Sequence, residues 1–232
     1  MRICVIADLH GSDRWRQIIS QEEEQVDRFL FLGDYFDDHR EEISATAQFD
    51  NFCEIVELCA ERGDIDLLVG NHDLQYCGGA RCDDYSGALF AMAHDYLTEQ
   101  IRTGVLQAVA LYGRYLFSHA GVSAEWMRVR GLFTPEAINR QFVVAPLALD
   151  FVDRPGAAFD GNNTYQSPVW IRPEALYKAL PPQWHQVVGH TQIAEITQFP
   201  KENRKLIFTD TDGLQYVIID TASETEEIKP LY

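Results

Sequence analysis

Three short apolar runs near the beginning of the chain each end directly on a polar residue. They cover residues 2–7, 29–32 and 65–69 and are followed by Asp, Gly-Asp and Gly-Asn. Continuous apolar runs of this length are typical of strands buried on both faces of a parallel sheet. Stretches with helical character, around residues 12–25 and 42–61, lie between them. The alternation predicts an α/β fold with right-handed crossovers, in which the polar residues meet at the carboxyl ends of the strands.

A second sheet is predicted to begin after a long helical stretch around residues 84–103. Residues 105–111 and 114–117 are strand-like, and Tyr112–Gly113 separates them. Two apolar segments joined by a short glycine-containing turn are typical of a β-hairpin. We therefore expect this hairpin to open the second sheet.

The last quarter of the chain predicts two more strand regions. Residues 186–189 form a brief apolar run, and Leu206–Phe208 and Tyr216–Ile219 are apolar segments on either side of Asp212–Gly213. Because Asp-Gly is a strong turn signal, the last two segments predict a closing hairpin.

The length of the chain predicts one domain. With 232 residues and 46% hydrophobic content, residues 1–232 can bury one α/β core and are somewhat few for two. The segment at about 145–172 is rich in Pro, Gly, Asn and aromatic residues and is too long for an ordinary connector. We expect it to shape substrate access. Trp170 and Tyr165 are expected either to stack on an aromatic or nucleobase leaving group or to pack in the core.

Composition narrows the classes of partner. The formal net charge of −17 opposes binding to nucleic-acid duplexes or anionic membranes. The five cysteines are odd in number and lack paired zinc-site spacing, so free thiols in a reducing compartment are expected. The chain starts on a strand-like run, with no signal region ahead of it and no long apolar stretch. These features predict a soluble, cytoplasmic protein, and they leave its oligomeric state open.

Residues able to bind metal ions follow the strand-like runs in a regular series. The motifs are Ala-Asp-Leu-His-Gly at 7–11, Gly-Asp-Tyr-Phe-Asp-Asp at 33–38, Gly-Asn-His-Asp at 70–73, Ser-His-Ala-Gly at 118–121 and Gly-His-Thr at 189–191. Taken singly, Asp8 and Asp34 are as typical of helix N-caps, and Asn71 of a turn. The ordered series favours metal binding, because four of the seven histidines fall on it.

The motif series resembles the calcineurin-like metallophosphoesterase superfamily, and within it the branch of Ser/Thr phosphoprotein phosphatases and diadenosine tetraphosphatases. The resemblance implies a four-layer α/β/β/α sandwich of two mixed β-sheets flanked by helices. It also implies two divalent metal ions, with Mn preferred and Fe or Zn as alternatives, since mixed carboxylate, imidazole and amide ligands suit these ions. The metal ligands that it implies are Asp8, His10, Asp34, Asn71, His119 and His190, with Asp34 bridging.

The resemblance also assigns the catalytic acid. By position His72 protonates the leaving group, and Asp37 orients His72 and favours its protonated form, so the rate should fall as His72 deprotonates. Two such metal ions can activate a shared water as hydroxide for in-line attack on phosphorus. The implied mechanism needs no Ser or Cys nucleophile.

Three positions depart from the branch: Ala7 replaces Gly, Asp73 replaces Glu, and Asp38 replaces a phosphate-binding Arg. The last departure removes a guanidinium that binds phosphate through two hydrogen bonds. Arg40, nearby in sequence, and Arg172, between the two late His motifs, are candidates to bind substrate instead.

The preferred function is hydrolysis of phosphate monoesters, on phosphoprotein Ser/Thr residues or small phosphorylated metabolites. The alternative is a nucleotide hydrolase acting on dinucleoside polyphosphates or phosphodiesters, which the loss of Arg at position 38 suggests. A non-catalytic binding scaffold with this fold is disfavoured, because such proteins typically lose ligands or the acid.

Several other polar residues receive ordinary structural interpretations. His94 and His185 are expected to pack or lie at the surface, and His39 to pair with a carboxylate in a loop, although it could approach the site. Cys77 and Cys82 are expected to be free thiols, since their spacing is weak evidence for a metal site. The remaining acidic residues in this group are assigned to turns and strand ends: Asp210, Asp212 and Asp220.

Overall fold

The structure, a computed structural model, describes residues 1–40, 42–153 and 160–231. Within these residues the chain forms eleven strands and seven α-helices. The strands are β1 (Arg2–Ile6), β2 (Arg28–Phe31), β3 (Ile65–Leu68), β4 (Leu106–Gln107), β5 (Val109–Tyr112), β6 (Tyr115–Ser118), β7 (His185–Val188), β8 (Thr197–Lys201), β9 (Arg204–Phe208), β10 (Gln215–Asp220) and β11 (Thr225–Pro230). The helices are α1 (Trp15–Glu22), α2 (Ala45–Arg62), α3 (Asn71–Leu74), α4 (Gly87–Thr103), α5 (Ala124–Arg130), α6 (Pro135–Val144) and α7 (Pro173–Lys178).

The first sheet has six strands in the order β11-β10-β1-β2-β3-β4. β1 to β4 run parallel to one another, as the three apolar runs predicted, and α1 and α2 make the crossovers between the first three. β10 joins the other side of β1 in antiparallel orientation. The sheet is therefore mixed, and its parallel half carries the first three metal-binding motifs.

The second sheet has five strands in the order β5-β6-β7-β9-β8. The three central strands β6, β7 and β9 are parallel, and the outer strands β5 and β8 are antiparallel to their neighbours. The two late histidine motifs follow β6 and β7. Their side chains therefore leave this sheet at one edge.

The two sheets pack face to face through alternate residues of their strands. This layer contains Ile3 and Val5 of β1, Phe117 of β6, Val187 of β7 and Val217 of β10, all fully buried. A larger apolar cluster joins the outer face of the first sheet to its helices, and a smaller one places α7 against the second sheet. The predicted class, two mixed sheets flanked by helices, is confirmed.

Helix boundaries follow local sequence signals. Ser44 precedes α2, and its hydroxyl accepts a hydrogen bond from Ala47 N; Ser86 caps α4 in the same way. α2 ends at Gly63, which has the positive φ of 70° that a left-handed cap requires. No helix in the described parts of the chain is both long enough and apolar enough to cross a bilayer.

Two details of the predicted strands are wrong. The segment 105–111 is split at Ala108, because β4 pairs with β3 in the first sheet whereas β5 pairs with β6 in the second. The predicted hairpin of Leu206–Phe208 with Tyr216–Ile219 does not form, because β9 pairs with β7 and β8 and β10 pairs with β1 and β11. Asp212–Gly213 is a turn that passes between the sheets.

Candidate metal centre

The ends of five strands place the predicted ligands at one edge of the sandwich. Asp8 and His10 follow β1, Asp34 follows β2, and Asn71 begins α3 directly after β3. His119 comes directly after β6, and His190 follows β7. Because parallel strands end at a common edge, residues far apart in sequence converge there.

Several of these residues have a backbone conformation that is costly for residues other than glycine. The φ angles of Asp8, His10, Asp34 and His190 are 24°, 45°, 53° and 64°. Positive φ in such residues stores strain that the surrounding structure must hold. The Asp34 carbonyl helps to hold this backbone conformation, because it accepts hydrogen bonds from Leu9 N and His10 N at 2.9 and 2.8 Å.

The buried carboxylate of Asp73 joins the second and third motifs. It accepts hydrogen bonds from Gly70 N at 2.7 Å and from Asp34 N and Tyr35 N at 2.8 Å each. Burial raises the pKa of Asp73 to about 6, and the three backbone hydrogen bonds oppose this shift. Asp73, which stands where the branch usually has Glu, therefore holds the backbone of Asp34 in place.

One oxygen of Asp34 lies between two imidazole nitrogens. Asp34 Oδ2 is 3.8 Å from His10 Nε2 and 3.4 Å from His119 Nε2. His119 Nδ1 donates to the carbonyl of Leu32 at 3.0 Å, and His10 Nδ1 donates to the carbonyl of Phe36 at the same distance. Both Nε2 atoms therefore present lone pairs toward the same carboxylate oxygen.

Two further ligand candidates lie next to His119. Its Nε2 is 2.8 Å from Asn71 Oδ1 and 3.2 Å from His190 Nδ1. Asn71 Nδ2 donates to Cys82 Sγ at 3.1 Å, which fixes the amide with its oxygen toward the histidines. The structure thus brings together all six residues that the sequence motifs proposed as ligands.

The donor set fits divalent cations. Ligand atoms of Asp8, Asp34 and His119 lie within 4.8 Å of one another, and Asp8 Oδ1 is buried without a hydrogen-bond partner among the described residues. Burial, and then the neighbouring carboxylates, raise the pKa of Asp8 and Asp34, whereas burial lowers the pKa of His10 and His119 to about 3. Neutral imidazoles beside crowded carboxylates are an arrangement that cations stabilise.

Glycines allow the motifs to approach the carboxylates closely. A Cβ atom at Gly70 would lie 2.0 Å from Asp34 Oδ1, and one at Gly189 would lie 2.0 Å from Asp8 Oδ1. No side chain fits at such distances. The Gly-Asn and Gly-His pairs of the sequence therefore have a steric reason.

His72 lies beside the ligand set and is held by Asp37. His72 Nδ1 is 2.8 Å from Asp37 Oδ2, and the His72 ring is edge-on to the His10 ring with 5.1 Å between centroids. Asp37 also accepts hydrogen bonds from Gln75 Nε2 and the Tyr76 hydroxyl. This fully buried carboxylate fixes the orientation of the imidazole.

Comparison with known proteins agrees with this geometry. The family model described as calcineurin-like phosphoesterase matches residues 1–219. The chain belongs to this family. Calcineurin-like phosphoesterases are metal-dependent phosphoester hydrolases that use a dinuclear centre of divalent ions. A search of curated protein sequences finds no match.

Solved structures show the same fold at low identity. The cold-active protein-tyrosine phosphatase of a psychrophilic Shewanella species has a TM-score of 0.57 and 14% identity, covering 100% of this chain and 80% of that one. A protein provisionally described as a diadenosine tetraphosphatase has a TM-score of 0.51 and 13% identity, covering 100% of this chain and 94% of that one. At this identity the likeness concerns the fold alone.

The two predicted substrate-binding arginines of this phosphoesterase differ in position. Arg172 lines the metal cleft, with Nη1 3.3 Å from Thr191 Oγ1 and 3.5 Å from the carbonyl oxygen of His190. Arg40 lies at the exposed rim, where it pairs with Asp212, and it is not among the described residues that line the cleft. Arg172 is therefore the better placed of the two.

Sequence reasoning left open whether His39 approaches the site, and it gave the other remaining residues of the cleft wall no role there. The cleft, of about 140 Å³, is also lined by His39, Gln192, Asp210 and Asp212. Asp210 follows β9 as Asp8 follows β1, so its position after a strand was an available signal. The predicted access segment at 145–172 reaches the cleft through Arg172, and Trp170 lies 6.2 Å from His190 between ring centroids. Residues 154–159 of that segment lie outside the described residues.

A second cavity adjoins the cleft. It measures about 200 Å³ and shares His10, His39 and Asp212 with the cleft. Part of its wall is apolar and includes the buried Trp15 and Ile18, and the rest carries charged side chains, including Arg14 and Arg40. The space next to the metal centre is thus larger than a phosphoryl group requires.

Proposed function

We propose that this calcineurin-like phosphoesterase hydrolyses phosphate monoesters at a dinuclear centre, preferably of Mn, with phosphoprotein Ser/Thr residues or small phosphorylated metabolites as substrates. The observation that carries the proposal is the position of Asp34 Oδ2 between His10 Nε2 and His119 Nε2, at 3.8 and 3.4 Å. A carboxylate oxygen that lies near two imidazole nitrogens, each with a free lone pair, suits a ligand shared by two metal ions.

By the resemblance, Asp8 and His10 would hold one ion, Asn71, His119 and His190 would hold the other, and Asp34 would be shared. Ligand atoms of Asp8, Asp34 and His119 lie within 4.8 Å of one another, which supports this arrangement. When bound, two divalent ions would supply an activated water and neutralise charge on the phosphoryl oxygens.

His72 is assigned the proton transfer to the leaving group. Its Nδ1–H donates to Asp37, so Nε2 is the ring nitrogen that can carry the transferred proton. Asp37 is itself held by Gln75 and Tyr76, so the imidazole cannot rotate away without breaking this buried network. Such a fixed acid typically contributes about 10²–10⁴-fold to the rate.

Leaving-group dependence tests this assignment. We would measure Mn-dependent hydrolysis of an aryl and an alkyl phosphate monoester by wild type, His72→Ala and Asp34→Asn. His185→Gln is the histidine control, because His185 begins β7 at the end opposite to His190 and contacts Glu224 instead of the cleft. Asp34→Asn should abolish both reactions. His72→Ala should lose far more activity on the alkyl ester, because its poor leaving group depends on protonation.

Two results would refute the proposal. Equal losses on the two esters in His72→Ala, at unchanged metal content, would remove His72 as the acid. Wild-type protein that is loaded with two Mn ions and hydrolyses neither ester would remove the monoesterase function.

The adjoining cavity favours a second candidate, a nucleotide hydrolase acting on dinucleoside polyphosphates or phosphodiesters. Its apolar wall offers space for a leaving group larger than that of a simple monoester. Rates on a monoester, a diester and a dinucleoside polyphosphate, measured side by side, separate the two candidates. A higher kcat/KM for either of the larger substrates would replace the first proposal by the second.

A further inference from the structure

His39 lies at the mouth of the metal cleft. Its ring centroid is 4.0 Å from that of His10 and 5.5 Å from that of His72. Its side chain is 50% exposed, in contrast to the buried ligand candidates. His39 is therefore a cleft residue that solvent and ligands can reach beside His10 and His72.

Asp84 sets the orientation of this imidazole. His39 Nδ1 is 2.6 Å from Asp84 Oδ2. His39 lines the cleft, whereas Asp84 is not among the described residues of the cleft wall. Nε2 has no hydrogen-bond partner among the residues that the structure describes, and it is the nitrogen left to meet a ligand.

The loop that carries His39 is built by Asp38. The Asp38 carboxylate accepts hydrogen bonds from the backbone N–H groups of Arg40, Glu42 and Ile43, at 3.1, 2.7 and 2.7 Å. These contacts turn the Asp38 side chain into its own loop. Asp38, which stands where the branch has a phosphate-binding Arg, thus has a structural role: it shapes the loop that places His39 at the cleft.

We infer that His39, oriented by Asp84, binds the phosphoryl oxygens of the substrate in place of the arginine that the sequence lacks at position 38. The inference rests on the proposed phosphoesterase function, since it assigns a contact within the same site. The ligand is an anionic phosphate group, and the imidazolium form of His39 binds it, because Nδ1–H then donates to Asp84 and Nε2–H donates to a phosphoryl oxygen. Arg172 lines the same cleft beside His190, so the side chains of His39 and Arg172 would bind the phosphate together.

The test compares variants of His39 in Mn-loaded protein. We would measure inorganic phosphate binding by calorimetry, kcat/KM on an aryl phosphate, and bound Mn for wild type, His39→Gln, His39→Arg and Asp84→Asn, with His185→Gln as the control. His39→Gln should lower phosphate affinity and kcat/KM by about 10–100-fold, the effect of one charge-assisted hydrogen bond.

The other variants separate contact from structure. His39→Arg should keep most of the phosphate affinity, because a guanidinium supplies the same kind of donor. Asp84→Asn should lose about 3–10-fold, because it weakens orientation without removing the imidazole. Bound Mn should be the same in every variant.

Three results would overturn the inference. Wild-type phosphate affinity in His39→Gln would show that the side chain does not contact the anion, and the proposed function would stand if hydrolysis continued. Loss of Mn in His39→Gln would show that His39 acts only by supporting His10. Mn-loaded wild type that neither binds phosphate nor hydrolyses esters would remove the proposed function and the inference with it.

Discussion

Replacing Asp34 by asparagine should stabilise the metal-free protein while it abolishes metal binding. Asp34 is buried, and its pKa is raised by burial first and then by the nearby carboxylates of Asp8 and Asp73. Asn keeps the shape of the side chain and an oxygen that accepts the 2.9 Å hydrogen bond from His72 N. Its amide would also replace the oxygen that now faces His119 Nε2 by a donor.

The expected gain is about 1–3 kcal/mol, since a buried charge that no cation balances in the metal-free protein is removed and one hydrogen bond is added. For a domain of this size that corresponds to about 2–10 °C in Tm. Thermal unfolding in excess chelator at neutral pH measures it. Asp13→Asn is the matched control, because the Asp13 side chain is 74% exposed and its replacement should leave Tm unchanged.

The pH dependence gives an independent check. An acid whose folded-state pKa is raised destabilises the fold in its charged form, so its penalty is absent below the unfolded pKa and grows as pH rises. The difference between Asp34→Asn and wild type should therefore be largest near neutral pH and vanish below 3.8, the ordinary pKa of an aspartic acid side chain. A metal-free Asp34→Asn protein less stable than wild type at neutral pH would refute the argument.

Three other substitutions give direct tests. Gly70→Ala should lower the free energy of unfolding by about 2 kcal/mol or more and abolish metal binding, because its Cβ would lie 2.0 Å from a carboxylate oxygen of Asp34. Gly87→Ala, whose Cβ would have no atom within 4 Å, should leave the free energy of unfolding unchanged in the same assay. Asp73→Asn should lower the free energy of unfolding by about 2–3 kcal/mol, because one amide oxygen cannot serve three backbone donors; denaturant titration would contradict this if the midpoint stayed unchanged. Tyr76→Phe should lower kcat by about 3–10-fold at constant metal content, because Asp37 loses a hydrogen bond that positions the general acid, and an unchanged kcat and pH profile would count against that role.

The parallel half of the first sheet could be predicted because each of its strands is an uninterrupted apolar run ending on a polar residue. β8 and β11 gave no such signal, since most of their residues are exposed at sheet edges. The assignment of β9 and β10 to one hairpin failed for another reason. Alternating apolar residues show that a strand has a buried face, but both sheets bury a face in the same layer, so the pattern does not say which sheet a strand joins.

The candidate ligands could be predicted because each stands in a short motif after a strand. His39 was assigned to a loop pairing with a carboxylate, and it makes that pairing with Asp84. Its place on the cleft wall depends on how Asp38 folds the loop, which short motifs do not contain. Asp210 was likewise assigned to a strand end, and the packing of β9 beside β7 brings it to the cleft.

The antiparallel pairing of β1 with β10 constrains when the centre can form during synthesis. Arg2 pairs with Asp220, so the strand that leads to Asp8 lacks one neighbour until residues 215–220 have left the ribosome. Contacts between residues so distant in sequence form slowly and late. The nascent chain therefore displays its first carboxylates and histidines long before the last ligand, His190, can join them. Ions that bind the nascent chain would meet an incomplete set of ligands. The selection of the metal therefore takes place only after the chain has folded.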